Sequence, residues 1–243
     1  MKGIILAGGN GTRLRPLTNS TNKHLLPVYD KPMIFYPLQT LKEAGITDIL
    51  IITGTEHAGN IFKLMGSGKE FGVKFTYRVQ DEAGGLPQAI ALAEDFVGNS
   101  KFVSINGDNI LSDSIQSYAD AFENGTEDAR ILLYETTMEE AKKMGVAVLD
   151  GEKVTHLIEK PENPPSQWAS IGVYFFKPSV FDIIRTLKPS ARGELEITDI
   201  HNTYILRGTL AASKICGEWL DAGSVDELAR ANRIVKEWKG VHK

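Results

Sequence analysis

The chain has 243 residues, 42% hydrophobic and 24% charged, and a formal net charge of −4. That length supports a full hydrophobic core, and the charge balance argues against a general nucleic-acid binder, which carries a strongly basic face. Cys216 is the single cysteine, which excludes an intrachain disulfide and any multi-cysteine metal site. A reducing compartment suits it. With no leader-like segment before Gly3 and no apolar run near ~18 residues, the expectation is a cytoplasmic protein without a membrane span.

In chain order, the apolar run 3–6 reads as a buried strand, and it meets Gly8, Gly9, Asn10, Gly11, Thr12 and Arg13. The dinucleotide pattern G-x-G-x-x-G fits poorly, because from Gly9 the third glycine would fall at Leu14, and no G-K-[ST] closes a P-loop. A loop remains whose backbone can approach a ligand closely, with N–H groups available to phosphate oxygens and Arg13 as a planar charged fork. A tight turn with a solvated arginine is the plainer alternative. Residues 1–32 set Lys2, Arg13, Arg15, Lys23 and Lys31 against Asp30 alone, which shifts the weight towards a polyanionic ligand.

Helical spacing follows at 33–44, closing on Gly45, and then at 58–65, 87–96 and 114–122. Buried strands are expected at 48–53, 73–79, 102–105 and 130–134. Strand and helix alternating in this way predict an α/β fold, a doubly wound, mostly parallel mixed sheet of Rossmann-like type. Asp108 follows the run 102–105, where such a sheet presents its ligand edge, and a carboxylate there suits Mg²⁺. Further on, Asp150-Gly151 marks a hairpin between 145–149 and 153–158. A Pro-rich loop at 161–167, a strand at 168–176 and helices at 179–187, 194–206 and 225–239 complete the chain. Ser224 and Glu227 have capping-box spacing for the last helix. No repeat or linker is visible, so one compact unit with a smaller mixed-sheet portion is expected.

"LAGGNGTRLRPLT" followed by "NKHLLPVYDKPMIFYPL" resembles the sugar nucleotidyltransferases, most of all the glucose-1-phosphate thymidylyltransferases, and the similarity runs over nearly the whole chain. The resemblance implies dTTP and glucose 1-phosphate as substrates, Mg²⁺ as cofactor, and no nucleic-acid or membrane partner. It also implies a homo-oligomer. Arg13 and Lys23 are implied as catalytic. Leu6, Ala7, Gly8, Gly9, Gly11 and Thr12 would bind the nucleotide, and Gln80 and Gly85 would read its base. Asp108 and Asp221 would hold the metal, although they stand 113 residues apart and no local spacing pairs them. Leu86, Asn109, Gly145, Glu159, Lys160, Ser170, Arg192 and Trp219 would bind the sugar phosphate.

Taken alone, Gln80 also reads as a surface residue, Asp221 as a turn acid before Gly223, and Glu159–Lys160 as a solvated pair. The resemblance implies one nucleotidyltransferase domain: 1–136 mainly nucleotide-binding, 137–223 mainly sugar-phosphate-binding, and 224–243 a C-terminal helix of the short form. His24 stands where many longer relatives carry glutamine, and Ser170 where they often have an apolar residue. A uridylyltransferase, an enzyme for another hexose 1-phosphate, and a catalytically silent regulatory subunit are the alternatives. Arg13, Lys23, Asp108 and Asp221 together argue against the silent one.

Overall fold

The computed structural model describes residues 1–241; residues 242 and 243, the end of the 224–243 segment, lie outside them. The chain forms two compact units, each assembled from separated stretches. One comprises Gly3–Ala83, Ile105–Gln116 and Gly217–Lys243; the other comprises Met1–Lys2, Gly84–Ser104 and Ser117–Cys216.

In the first unit, strands Lys2–Ala7, Asp48–Gly54 and Lys74–Gln80 lie side by side and parallel, with Ile4 opposite Leu50 and Ile51 opposite Tyr77. Ile4, Ile5 and Ile49 through Ile52 are fully buried, as near-continuous apolar runs must be when both sheet faces are covered. Helix Phe35–Glu43 begins two residues later than its apolar spacing suggests. Ahead of it, the N–H groups of Met33 and Ile34 bond to the carbonyls of Leu26 and His24. Gly45, at φ +72°, ends the helix as expected.

Two three-residue strands, too short to leave a periodic signature, escape sequence reading. Asn109–Leu111 and Trp219–Asp221 pair antiparallel, with Asp221 directly opposite Asn109. Beneath them lies an apolar cluster that includes Leu14, Met33, Ile110, Leu220 and, from helix Val225–Val241, Leu228 and Val235. Half of the expected capping box forms: the Glu227 N–H donates to Ser224 Oγ at 3.4 Å, while the Glu227 carboxylate faces Arg13.

In the second unit, Trp168–Phe176 pairs antiparallel with Ala129–Glu135 and with Gly145–Asp150. The hairpin joins Gly145–Asp150 to Lys153–Glu159, with Gly151, not Asp150, as the first turn residue at φ +58°. Strand Leu210–Lys214, unforeseen in the sequence, runs parallel to Ala129–Glu135. The helix expected at 87–96 is divided into Leu86–Ala91 and Glu94–Val97. Between them the N–H groups of Leu92 and Ala93 reach back only three residues, a tightened turn that interrupts the α-helical ladder. Helix Ile197–Leu206 covers the hairpin, with Asn202 bonded to both the N–H and the carbonyl of Leu157.

The fold is therefore α/β with a mixed central sheet, as the alternation of periods implies. No described helix is long and apolar enough to cross a membrane.

Candidate active site

In the first unit the glycine loop leaves strand Lys2–Ala7 with its glycines tightly used. A Cβ on Gly8 would come within 2.6 Å of Gln80 Oε1, so the buried Gln80 amide lies directly over Gly8. The Lys23 side chain runs beside Gly9. Gly11 takes φ +60°, and its carbonyl accepts a hydrogen bond from Thr18 Oγ1 at 2.8 Å. The 3₁₀ turn Thr12–Leu14 that follows buries Leu14 and turns Thr12 and Arg13 outward. Leu6 and Ala7 are buried behind the loop.

Asp108 lies two residues beyond strand Phe102–Asn106 and is 7% exposed. Its carboxylate is paired with the Lys23 ammonium and also accepts from Asn109 Nδ2 at 3.3 Å. Burial pushes this carboxyl up, but the Lys23 ammonium outweighs it and holds the group below the ordinary range. The short ladder brings Asp221 alongside, where the Ala222 N–H donates to the Asp108 carbonyl at 3.1 Å. Burial raises the Asp221 carboxyl to about 7, with the charges of Asp108 and Glu227 adding to the shift. Asp221 Oδ1 is buried with no hydrogen-bond partner among the described residues.

Arg13 reaches this acidic group from the loop. Its guanidinium lies 4.0 Å from Asp221 Oδ2 and 3.9 Å from Glu227 Oε2. Gly223 leaves the room for that approach, since a Cβ there would stand 2.7 Å from Arg13 Nη2 and 2.8 Å from Asp221 Oδ1. Asn109 and Trp219 belong to the same neighbourhood: Trp219 Nε1–H donates to Asn109 Oδ1 at 2.8 Å.

A hard divalent cation fits Asp108 and Asp221. They supply oxygen ligands, one oxygen is buried without a partner, and the charge of Asp108 works against ionisation of Asp221. No cluster of three or more His, Cys, Asp or Glu capable of holding a metal occurs among the described residues, so substrate oxygens and water would complete the shell.

The second unit holds the other expected residues. Gly85 takes φ +98° with its would-be Cβ 2.2 Å from the Leu195 carbonyl, so backbone packing alone already demands glycine. Leu86 opens the following helix and is half-buried. Gly145 is the cross-strand partner of both Glu159 and Ser170, which sets these three in one row on one sheet face. Ser170 Oγ is buried and has no partner among the described residues. Lys160, exposed at φ +43°, lies with Nζ 3.8 Å from Glu159 Oε1.

Arg192 grips Glu196 through two bonds of 2.6 and 3.2 Å and lies 3.4 Å from Glu159. Burial raises the Glu159 carboxyl, and the neighbouring Glu196 charge adds to it. Burial opposes ionisation of Glu196 as well, yet hydrogen bonds from Ser190 and Arg192 prevail and lower it.

Sequence reading missed Gly223, Glu196 and the approach of the Glu227 carboxylate to Arg13. Glu196 had one available signal, its i+4 spacing from Arg192; Gly223 had none for its closeness to Arg13, which is remote in sequence.

Comparison with known proteins identifies the family. A family model described as nucleotidyl transferase matches residues 2–237. The low-salt glycan biosynthesis nucleotidyltransferase of Haloferax volcanii is 44% identical over 100% of this chain and 68% of its own length. A glucose-1-phosphate thymidylyltransferase of Neisseria meningitidis is 41% identical over 97% of this chain and 83% of its own. A Bacillus anthracis crystal structure, provisionally identified as a glucose-1-phosphate thymidylyltransferase and complexed with a sucrose, superposes with TM-score 0.92. It is 52% identical and covers 96% of this chain and 94% of its own. A UDP-glucose pyrophosphorylase complexed with UDP-glucose reaches TM-score 0.84 at 28% identity, over 97% and 98% of the two chains. With a glycine loop, two basic side chains and a carboxylate pair folded together, and a family match over almost its full length, the chain belongs to the nucleotidyl transferase family and is a nucleotidyltransferase.

Proposed function

We propose that the enzyme transfers a thymidylyl group from dTTP to α-D-glucose 1-phosphate, giving dTDP-glucose and pyrophosphate. The observation that carries this reading is the meeting of Lys23, Arg13, Asp108 and Asp221 beside a glycine loop overlain by Gln80. Both reactants are anions, and two unit charges at ~4 Å repel by about 4 kcal/mol at an effective dielectric near 20. Arg13 and Lys23 offset that repulsion at the triphosphate, with the loop N–H groups as further donors. Gln80 hydrogen-bonds the base, and Gly85 contributes its backbone.

Asp108 and Asp221 would hold Mg²⁺, which when bound neutralises phosphate charge and polarises the reacting phosphoryl group. Glu159 accepts from sugar hydroxyls beside Gly145 and Ser170, and Lys160 and Arg192 take the sugar phosphate. Arg192 arrives already oriented by Glu196, so the phosphate adds to an existing fork rather than ordering a free side chain. A sugar-phosphate oxygen is a competent nucleophile near neutral pH, so no general base is needed and no covalent enzyme intermediate is invoked.

Transfer to uridylyl chemistry is the second reading, favoured by the UDP-glucose pyrophosphorylase likeness. A glutamine amide meets the imide edges of thymine and uracil equally well, and the methyl that separates them is worth ~1–3 kcal/mol. The Neisseria and Bacillus relatives named as thymidylyltransferases are more similar, at 41% and 52% identity against 28%. We place the enzyme in the cytoplasm as a homo-oligomer acting on small molecules. Pyrophosphate release from a panel of triphosphates and sugar 1-phosphates, with and without Mg²⁺, tests the proposal. Preference for dTTP with glucose 1-phosphate supports it, and absence of release from every pair overturns it.

A further inference from the structure

The 3₁₀ turn Lys23–Leu25 carries Lys23, and the residues around it form a buried clip. Asn22 Oδ1 accepts from the His24 N–H at 2.9 Å and from the His24 ring at Nδ1, 2.7 Å away. Asn22 Nδ2 donates to the Ala7 carbonyl at 3.4 Å, which fixes the orientation of the amide. Two consequences follow. The turn is tied to the end of strand Lys2–Ala7, where the glycine loop begins, and His24 must carry its proton on Nδ1. The other edge of the ring rests on Gly107: a Cβ there would lie 2.5 Å from His24 Cδ2 and 2.8 Å from Nε2. Gly107 precedes Asp108, and its N–H is bonded to the Leu6 carbonyl. The His24 carbonyl accepts from the Ile34 N–H, so backbone and side chain are both committed. At 1% exposure the ring has no freedom to turn.

We propose that His24 is a positioning residue for nucleotidyl transfer: clipped by Asn22 and seated on Gly107, it sets where the Lys23 ammonium meets Asp108. This rests on the reaction proposed above. The ring bonds Asn22 on one edge and rests on Gly107 with the other, so it acts by holding the two backbones that carry the pair. A uniform apolar filler would occupy the same volume without the clip, and a misplacement near 1 Å at reacting groups costs on the order of a hundredfold in rate.

The test compares His24→Leu, Asn22→Ala, the double variant, and His24→Asn, whose Nδ2 keeps a donor for Asn22. Folded fraction is measured first by thermal melting. Per folded enzyme, His24→Leu and Asn22→Ala each lower kcat about tenfold or more while KM for glucose 1-phosphate shifts less than about twofold. The double variant loses less than the product of the two, and His24→Asn recovers much of the rate.

A second readout needs no turnover: acylation of Lys23 by an amine-reactive ester, followed by mass spectrometry with exposed Lys63 as internal standard. In the wild type Lys23 is paired and 14% exposed, so it reacts slowly; in His24→Leu it reacts at least about threefold faster. Unchanged kcat per folded enzyme, or additive losses, overturns the proposal. If no substrate pair turns over in the wild type, the proposed reaction fails separately, and an unchanged Lys23 labelling ratio then overturns the clip by itself.

Discussion

Arg13 is the residue on which the electrostatic account bears hardest. Its side chain is 57% exposed and stands about 4 Å from two carboxylates, so it contributes little to stability yet is aimed at the acidic group. Arg13→Ala is expected to lower kcat by about 10²–10³ with an unchanged melting temperature, by analogy with loss of one preorganised donor. Steady-state turnover at saturating substrates checks this, and a near-normal rate removes Arg13 from the chemistry. Gly223→Ala probes the same contact from the other side. The added methyl would press on Arg13 Nη2 and Asp221 Oδ1, so kcat should fall at least about tenfold with a shift in the Mg²⁺ concentration needed for half-maximal rate. A variant with wild-type rate and Mg²⁺ response would show that the two side chains give way freely. The sequence exposed Arg13 through its local excess of positive charge. It gave no hint of Gly223, whose nearest would-be contact, Arg13 Nη2, belongs to a residue remote in the chain.

At the scale of elements, the short ladder of Asn109–Leu111 with Trp219–Asp221 accounts for what spacing arguments cannot reach. Three residues a side are below any reliable periodic signal, yet the register sets Asp221 opposite Asn109 and so beside Asp108. The indole N–H of Trp219 ties the two strands through Asn109. Trp219→Phe should therefore cost about 1 kcal/mol of stability and raise the Mg²⁺ requirement. Denaturant midpoints and a Mg²⁺ titration read the two effects; a stability loss with an unaltered titration would separate the ladder from the carboxylate pair. The long, strongly apolar strands at Asp48–Gly54 and Trp168–Phe176 were legible because burial on both faces writes itself into composition. The divided helix after Gly85 was not, since its apolar spacing continues through a break made by backbone bonding.

For the whole molecule the sharpest expectation concerns acid. His201 is fully buried, 5.1 Å from the Tyr174 ring and 5.9 Å from that of Phe176, with neither ring nitrogen partnered among the described residues. Burial lowers its pKa from 6.5 to about 3. The unfolded chain then takes up the proton first, so this group's contribution is intact above about 6.5 and is lost as pH falls towards 3. The slope approaches about 1.4 kcal/mol per pH unit for one group. His201→Phe should lose less stability than the wild type between pH 7.5 and pH 5, measured by urea unfolding at both. Equal losses in the two proteins would place the acid sensitivity elsewhere.

By itself the sequence determined the alternation of strand and helix, the glycine loop with its positive charge, and the membership that these motifs imply. Such features are local: periodicity and composition record burial and backbone freedom within a dozen residues. Only the tertiary structure decided that Asp108 and Asp221 share one neighbourhood, that Gln80 lies over Gly8, and that Gly145 lines up Glu159 with Ser170. Those juxtapositions depend on strand order and register, which are chosen by packing among segments far apart in the chain and leave no mark at any one of them.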